Sequence, residues 1–289
     1  MILAFDIGGT TVKYGWWSEA QLQDKGYFAT PDTWLEMKKE LLQVFQAKGP
    51  IEGITFSMPG AVDTKQGIIK GISAVPYLHH FPIKEELEGL FQLPVALEND
   101  ANSAALAELK FGVAQEKESV AFFIIGSGIG GSLSFNGKLM KGQHLFAGEF
   151  GYLLLDDGKT LSESASPVQI ARKYGISHGL SDSFTGKELF ELKELGDKDA
   201  IIAVEGMYRA LAKAMYSVCL TYDPELIVIG GGISSRTEIL QPIKEYLAAL
   251  LINHGAEEIT VDVQFCHFRQ DANLVGAVAN YLQGEEDVH

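Results

Sequence analysis

Cysteine is scarce in this chain: Cys219 and Cys266 are the two it has in 289 residues. Two thiols make neither a disulfide framework nor the four-ligand cluster of a structural zinc site. One bridge between them stays open, but two buried thiols in a cytoplasmic protein is the simpler reading. Proline is sparse as well, with nine residues and no biased tract around them, which argues against a long disordered or fibrous segment. No apolar run reaches the ~18 to 20 residues needed to span a bilayer. The opening MILAFDIGG meets an acid at Asp6 and then glycines, so it reads as a strand and not as a signal peptide. Positive charge is short too. Lys and Arg total 23 against 38 Asp and Glu, a formal net charge of −15, and the basic residues are scattered. Such a chain repels a phosphate backbone, so neither nucleic acid nor a membrane is expected as a partner.

What is plentiful is apolar and glycine residues, 46% hydrophobic with 31 glycines. At roughly 150 residues per domain the length suggests about two domains. Strands are predicted at 2–6, 12–17, 51–57, 95–98, 119–125, 132–135, 226–229 and 259–266, with an extended stretch at 67–73. Helices are predicted at 32–48, 82–92, 100–111, 166–174, 186–195, 199–222, 236–252 and 271–282. Asn136-Gly137 is a hairpin signal. Strand, glycine turn and strand occur at 2–17 and again at 120–135. That echo predicts two similar α/β lobes with a ligand cleft between them, joined near 112–118. The helix at 199–222 carries Ile201, Ile202, Val204, Met207, Leu211, Met215 and Val218, a stripe that suits a core and also a subunit contact.

Three glycine turns carry chemistry. In Asp6-Ile7-Gly8-Gly9-Thr10-Thr11 with Lys13, a strand ends on an acid and two glycines, exposing N–H groups to phosphate oxygens. The Thr10 and Thr11 hydroxyls and the Lys13 amine add donors, and Asp6 is placed to hold Mg²⁺ through water. Gly126-Ser127-Gly128-Ile129-Gly130-Gly131 has part of the GxGxxG spacing. A strand follows it where the dinucleotide fingerprint needs a helix, so a second phosphate turn is the better reading. Gly230-Gly231-Gly232 ends a buried strand and suits either an adenosine or tight strand–helix packing. Glu98-Asn99-Asp100-Ala101-Asn102 opens an alanine-rich helix. Capping needs one of these polar residues; the surplus suggests that Asp100 takes a proton from a hydroxyl nucleophile while Asn99 orients the substrate. Glu149 and Glu163 are acids in apolar surroundings, suited to sugar hydroxyls. His79, His80, His144 and His267 have no paired metal spacing.

In this order the motifs resemble the ROK family (repressor, open reading frame, kinase) of sugar kinases in the hexokinase–actin–Hsp70 superfamily, over nearly the whole chain. The resemblance rests on Asp6–Lys13, Pro59-Gly60-Ala61-Val62-Asp63, LPVALENDANSAALAE at 93–108, Gly126–Gly131, Gly148-Glu149-Phe150-Gly151, Asp223–Ile233 and Asp271–Ala277. It implies two actin-like (ribonuclease H-like) lobes with a mixed sheet in each. The smaller lobe would be 1–115 plus the C-terminal helix 271–289, and the larger lobe 116–270. It implies transfer of the γ-phosphoryl group of ATP to a sugar hydroxyl, usually O6 of a hexose, by a cytoplasmic homodimer. Carried over by position, Asp100 is the general base. Asn99, Glu149 and Glu163 hold the sugar, with Gly60 and Ser73 lining its pocket. Asp6 serves Mg²⁺; Gly8, Gly9, Thr10, Thr11, Lys13, Gly126, Ser127 and Gly128 serve the phosphates; Gly231 and Gly232 serve the adenosine.

Two departures stand out. The family's GExGH motif and its CxCGxxGC loop supply a His and three Cys to structural zinc. Here the His is Tyr152, and 153–162 contain no cysteine, so no zinc is expected. A glucokinase-like activity is the leading expectation; because that His usually touches the sugar, Tyr152 opens the way to a modified or larger sugar, and such variants occur among β-glucoside and N-acetylmannosamine kinases as well as glucokinase-like members. A ROK repressor would need a winged helix ahead of the first turn, and this chain starts that turn at residue 6. A sugar sensor without catalysis is disfavoured by the presence of both Asp6 and Asp100.

Overall fold

The computed structural model describes residues 1–155 and 158–286. Asp156 and Asp157 of the cysteine-free loop, and 287–289 of the expected C-terminal helix, lie outside the described residues. The chain divides into two compact units. One comprises Met1–Gln115, Gly142–Phe146 and the stretch from Gln270; the other comprises Glu116–Lys141 and Ala147–Arg269.

In the first unit β1 (Ile2–Ile7) is buried along its whole length. Such an unbroken run is what a central strand covered on both faces requires. Its alternate residues serve two cores: Leu3, Phe5 and Ile7 face one side with Met37 and Leu41, while Ile2 and Ala4 face Leu274, Val278 and Tyr281. β2 (Thr11–Ser18) pairs antiparallel with β1, and β3 (Gln21–Ala29) antiparallel with β2. After α1 (Trp34–Gln46), capped by Thr33, β4 (Gly53–Met58) lies parallel to β1. A small hairpin of β5 (Ala61–Asp63) and β6 (Ile68–Lys70) and α2 (Ile83–Phe91) lead to β7 (Val95–Asn99), parallel to β4, and on to α3 (Asp100–Phe111). The sheet order is β3-β2-β1-β4-β7. Registers align Asp6 with Ser57 and Ser57 with Glu98, so three polar residues form a row near the carboxyl ends of three parallel strands. Open α/β sheets bind ligands off that edge.

The second unit repeats the topology. β8 (Ser119–Ile125) and β9 (Ile129–Phe135) form an antiparallel pair, and β10 (Lys138–Leu139) joins β9 through the two-residue turn Asn136-Gly137. Five helices follow: α4 (Leu161–Ala165), α5 (Pro167–Ser177), α6 (Gly186–Glu194), α7 (Lys198–Tyr222) and, after β11 (Leu226–Gly230), α8 (Leu240–Asn253). β12 (Asp262–Phe265) completes the sheet, ordered β10-β9-β8-β11-β12 with the pairing senses of the first. The stripe on α7 is mainly core: Val204, Met207, Leu211, Met215 and Val218 are buried, whereas Ile202 stays exposed. Among the described residues no helix is long and apolar enough to cross a membrane.

The C-terminal helix Ala272–Glu286 belongs to the first unit, where it lies against α3. Small residues permit that approach: a Cβ added to Gly276 would stand 1.6 Å from the Ser103 carbonyl oxygen. Backbone cannot retreat as a side-chain tip can. Gly276→Ala should therefore cost about 1–3 kcal/mol, the usual penalty of overpacking, read as a lower urea midpoint; an unchanged midpoint would show that the helix pair is looser than this.

Candidate active site

Asp6 ends β1 as a buried carboxylate. Its Oδ1 accepts from the Ser57 hydroxyl at 2.8 Å and from Nδ2 of Asn273, at the start of the C-terminal helix, at 2.9 Å. Both bonds go to one oxygen, which leaves Oδ2 outside them. Magnesium dehydrates reluctantly and is commonly held by one or two carboxylates with water and phosphate oxygens. A single half-satisfied carboxylate fits that use. Among the described residues no group of three or more His, Cys, Asp or Glu could hold a metal ion.

Asn99 caps α3 with its side-chain oxygen, taking the Asn102 N–H at 3.1 Å. Its Nδ2 donates to the Gly60 carbonyl and to Asp100 Oδ1, each at 2.9 Å. The Ala101 N–H also donates to Asp100 Oδ1, at 2.8 Å. Asp100 is thereby fixed through one oxygen, and its side chain keeps an exposed face. Its carboxyl is pushed up to about 6, chiefly because the surrounding protein desolvates it, with the Asp6 charge adding to the effect and the bonds from Ala101 and Asn99 opposing it. A carboxylate with that proton affinity is well matched to general-base work near neutral pH. Glu98 lies buried beneath, accepting from the Asn99 N–H at 2.9 Å and from Asn102 Nδ2 at 3.1 Å.

The first glycine turn is held from outside: the Thr30 hydroxyl donates to the Gly8 carbonyl at 2.7 Å, and the Thr30 N–H to the Thr10 carbonyl at 3.0 Å. The N–H groups of Gly9 and Thr10 have no backbone partner among the described residues. Thr11 and Lys13 open β2, and Lys13 is exposed. The unit also holds Ser73, hydrogen-bonded to His79 Nε2 at 2.6 Å.

The second turn is built the same way with different means. Ser166 is buried, caps α5 and directs its hydroxyl to the carbonyls of Gly126 and Ser127, at 2.9 and 3.0 Å. With those carbonyls pinned, the N–H groups of Ser127 and Gly128 have no backbone partner among the described residues. Gly126 also borders a cavity of about 480 Å³ whose wall includes Pro167, Phe190, Gly232, Ile233 and Arg236. The Arg236 guanidinium lies over the Phe190 ring at 4.2 Å, a flat apolar and cationic pair. Gly231 turns at φ 82° into the short helix Gly232–Ser235 beside it. A planar base with phosphates running towards Gly126 suits such a wall, and all of it lies within the second unit.

Glu149 and Tyr152 sit on one tight turn, the Tyr152 N–H donating to the Glu149 carbonyl at 3.2 Å. The turn lies hard against β9: a Cβ on Gly151 would fall 1.9 Å from the Ile129 carbonyl oxygen. Phe150 stacks on Phe123 beneath it at 4.4 Å. Tyr152 itself is 69% exposed. Glu163 is the residue whose expected role finds no support. Its Oε2 accepts from the Thr160 N–H at 2.8 Å and the Thr160 hydroxyl at 2.9 Å, closing a capping box on α4. Those bonds hold its carboxyl below the usual range. The preceding residue, Ser162, is the one that meets the second turn, its hydroxyl taking the Ile129 N–H at 3.0 Å.

Sequence reading missed Ser57, Asn273, Ser166 and Arg236. Ser166 was legible, because Ser followed by Pro167 is a helix-start signal; the others become visible only when the chain folds.

Comparison with known proteins decides the family, since the ROK family profile matches residues 2–283. The chain belongs to the ROK family. Among its ROK relatives, a β-glucoside kinase from Listeria monocytogenes is 34% identical over 300 residues, covering 100% of this chain and 99% of the relative. The crystal structure of a ROK family protein from Streptococcus pneumoniae in complex with sucrose superposes with a TM-score of 0.91 at 34% identity over 99% of each chain. A ROK family glucokinase from Streptomyces griseus, in complex with glucose and AMPPNP, gives 0.82 at 25% identity over 97% of this chain and 98% of that one. The two five-stranded sheets are those of the actin-like ROK fold.

Ser166→Ala should remove both a helix cap and the clamp on the second turn. The expected cost is about 1–2 kcal/mol of stability together with weaker AMPPNP binding by calorimetry. Full affinity in the folded variant would show that the clamp does not order the turn.

Proposed function

We propose that this chain is an ATP-dependent sugar kinase in which Asp100 is the general base. The observation that carries the reading is the state of Asp100: anchored through Oδ1 by Asn99 and Ala101, raised towards neutrality, and with Oδ2 outside those bonds. The sugar hydroxyl gives its proton to Oδ2 as its oxygen attacks the γ-phosphorus of ATP, and ADP leaves. Phosphoryl transfer asks a protein mainly for alignment and charge neutralisation. The free N–H groups of the two glycine turns supply neutralisation, with Thr10, Thr11 and Lys13 adding donors, and the Gly126–Gly232 cavity takes the adenosine. Asp6 Oδ2 would hold a hydrated magnesium ion, which when bound neutralises phosphate charge. Gly60, Ser73, Asn99 and Glu149 would meet the sugar.

The acceptor in this reading is a hexose-type sugar, phosphorylated at O6. A β-glucoside is favoured over free glucose, supported by exposed Tyr152 beside Glu149 and by the similarity to the Listeria β-glucoside kinase. A cytoplasmic homodimer belongs to the same reading, and static light scattering of a monomer at micromolar concentration would remove it. The kinase reading itself is tested by coupled ADP release with Mg-ATP across glucose, mannose, N-acetylated hexosamines and cellobiose. Turnover on at least one sugar is expected, whereas sugar binding without turnover would point to a sensor. Asp100→Asn should lower kcat by about 10²-fold or more while the sugar still binds. In the wild type, kcat/KM should rise as pH climbs through about 6, because the base must be ionised; a profile flat from pH 5 to 8 would remove Asp100 from that role.

A further inference from the structure

His79 carries no metal spacing in the sequence, yet the fold puts it where three loops of the first unit meet. The first is the 59–60 turn. Gly60 adopts φ +96°, and the His79 ring fills the space a side chain there would need, its Cε1 lying 2.9 Å from the position of an added Cβ. The Gly60 carbonyl so placed is the one that receives Asn99 Nδ2, and the same Nδ2 holds Asp100. The second is the 71–75 loop, pinned where Ser73 Oγ meets His79 Nε2 at 2.6 Å and accepts from the Val75 N–H at 3.2 Å. The third is the first glycine turn, against which that loop rests. A Cβ on Gly9 would fall 2.5 Å from the Ala74 Cβ.

We infer that His79 is a positioning residue of the sugar site: one imidazole holds Gly60 behind the Asn99–Asp100 pair and, through Ser73, holds the 71–75 loop against the Gly8–Gly9 turn. The inference rests on the kinase reading for its kinetic consequence, not for its geometry. A prop of this kind must be one neutral tautomer in one place. Burial, the larger cause, and the neighbouring His80 keep the imidazole below its usual range, with the Lys70 and Gly71 backbone opposing them, which favours the neutral ring. Nδ1 is buried and has no hydrogen-bond partner among the described residues, so the ring is anchored through Nε2.

The effect should be kinetic and is read through the sugar. In the full chain, with Mg-ATP and whichever sugar the wild type turns over, His79→Ala should lower kcat/KM for the sugar about 10-fold or more, as small misplacements of catalytic groups do. The melting temperature should hold. His79→Gln, whose amide can still meet Ser73, should recover part of the loss. An unchanged kcat/KM in His79→Ala would overturn the inference. So would equal losses in both variants accompanied by a fall in melting temperature, the pattern of a residue that merely fills space. A second readout needs no sugar: the long-range ¹H–¹⁵N spectrum of wild type at pH 7.5 should show His79 as a single tautomer, and averaging between two would overturn the prop. If the wild type phosphorylated no sugar, the kinase reading would fall, and the tautomer would still judge His79.

Discussion

A carboxylate buried at the end of a central strand must find donors, and the way Asp6 finds them organises the first unit. Hydrogen bonds to a charged group are worth about 1.5–3 kcal/mol each, and the two on Asp6 Oδ1 come from Ser57 on β4 and Asn273 on the C-terminal helix. Chain segments 51 and 267 residues distant are tied to one atom. The helix so placed crosses α3 at Gly276, which sets the helix that begins with Asp100. The Asp6 charge also helps to lift the Asp100 carboxyl. One acid thus bears on the topology and on the proton affinity of the second acid.

The two sheets repeat one topology, but their turns are held by different residues. Thr30 fixes the first glycine turn from just beyond the edge strand β3, and Ser166 fixes the second from a helix cap. In both, a hydroxyl engages carbonyls and N–H groups stay open. Both turns are pinned through their carbonyls, whereas the residues that pin them are not alike. The second unit adds a walled cavity at Gly126 with Arg236 over Phe190, and the first adds the paired acids. The halves differ in what stands beside the turn.

Much of the fold was legible because its central strands are largely apolar runs, several of them followed by glycines, and because Asn136-Gly137 names its own turn. The edge strand β3 was not read, since Gln21–Ala29 is mostly exposed and polar and gains its place only by pairing with β2. Short α4 escaped for the related reason that five residues carry too little periodicity. At the site, Asp6, Asn99 and Asp100 stood out as polar residues at strand and helix ends. Glu163 was read as a lone acid in an apolar stretch, and the structure adds a cap partnership that Thr160 three residues earlier signals. His79 was passed over because spacing says nothing about a ring that acts by filling the space beside a glycine.

In the proposed reaction a sugar oxygen, and not water, receives the phosphoryl group. Following the reaction by ³¹P NMR with Mg-ATP and cellobiose or glucose reads the acceptor directly. The γ-phosphate signal of ATP should be replaced by a phosphomonoester coupled to the two protons of a CH₂ group, as at O6. Release of inorganic phosphate alone would contradict it.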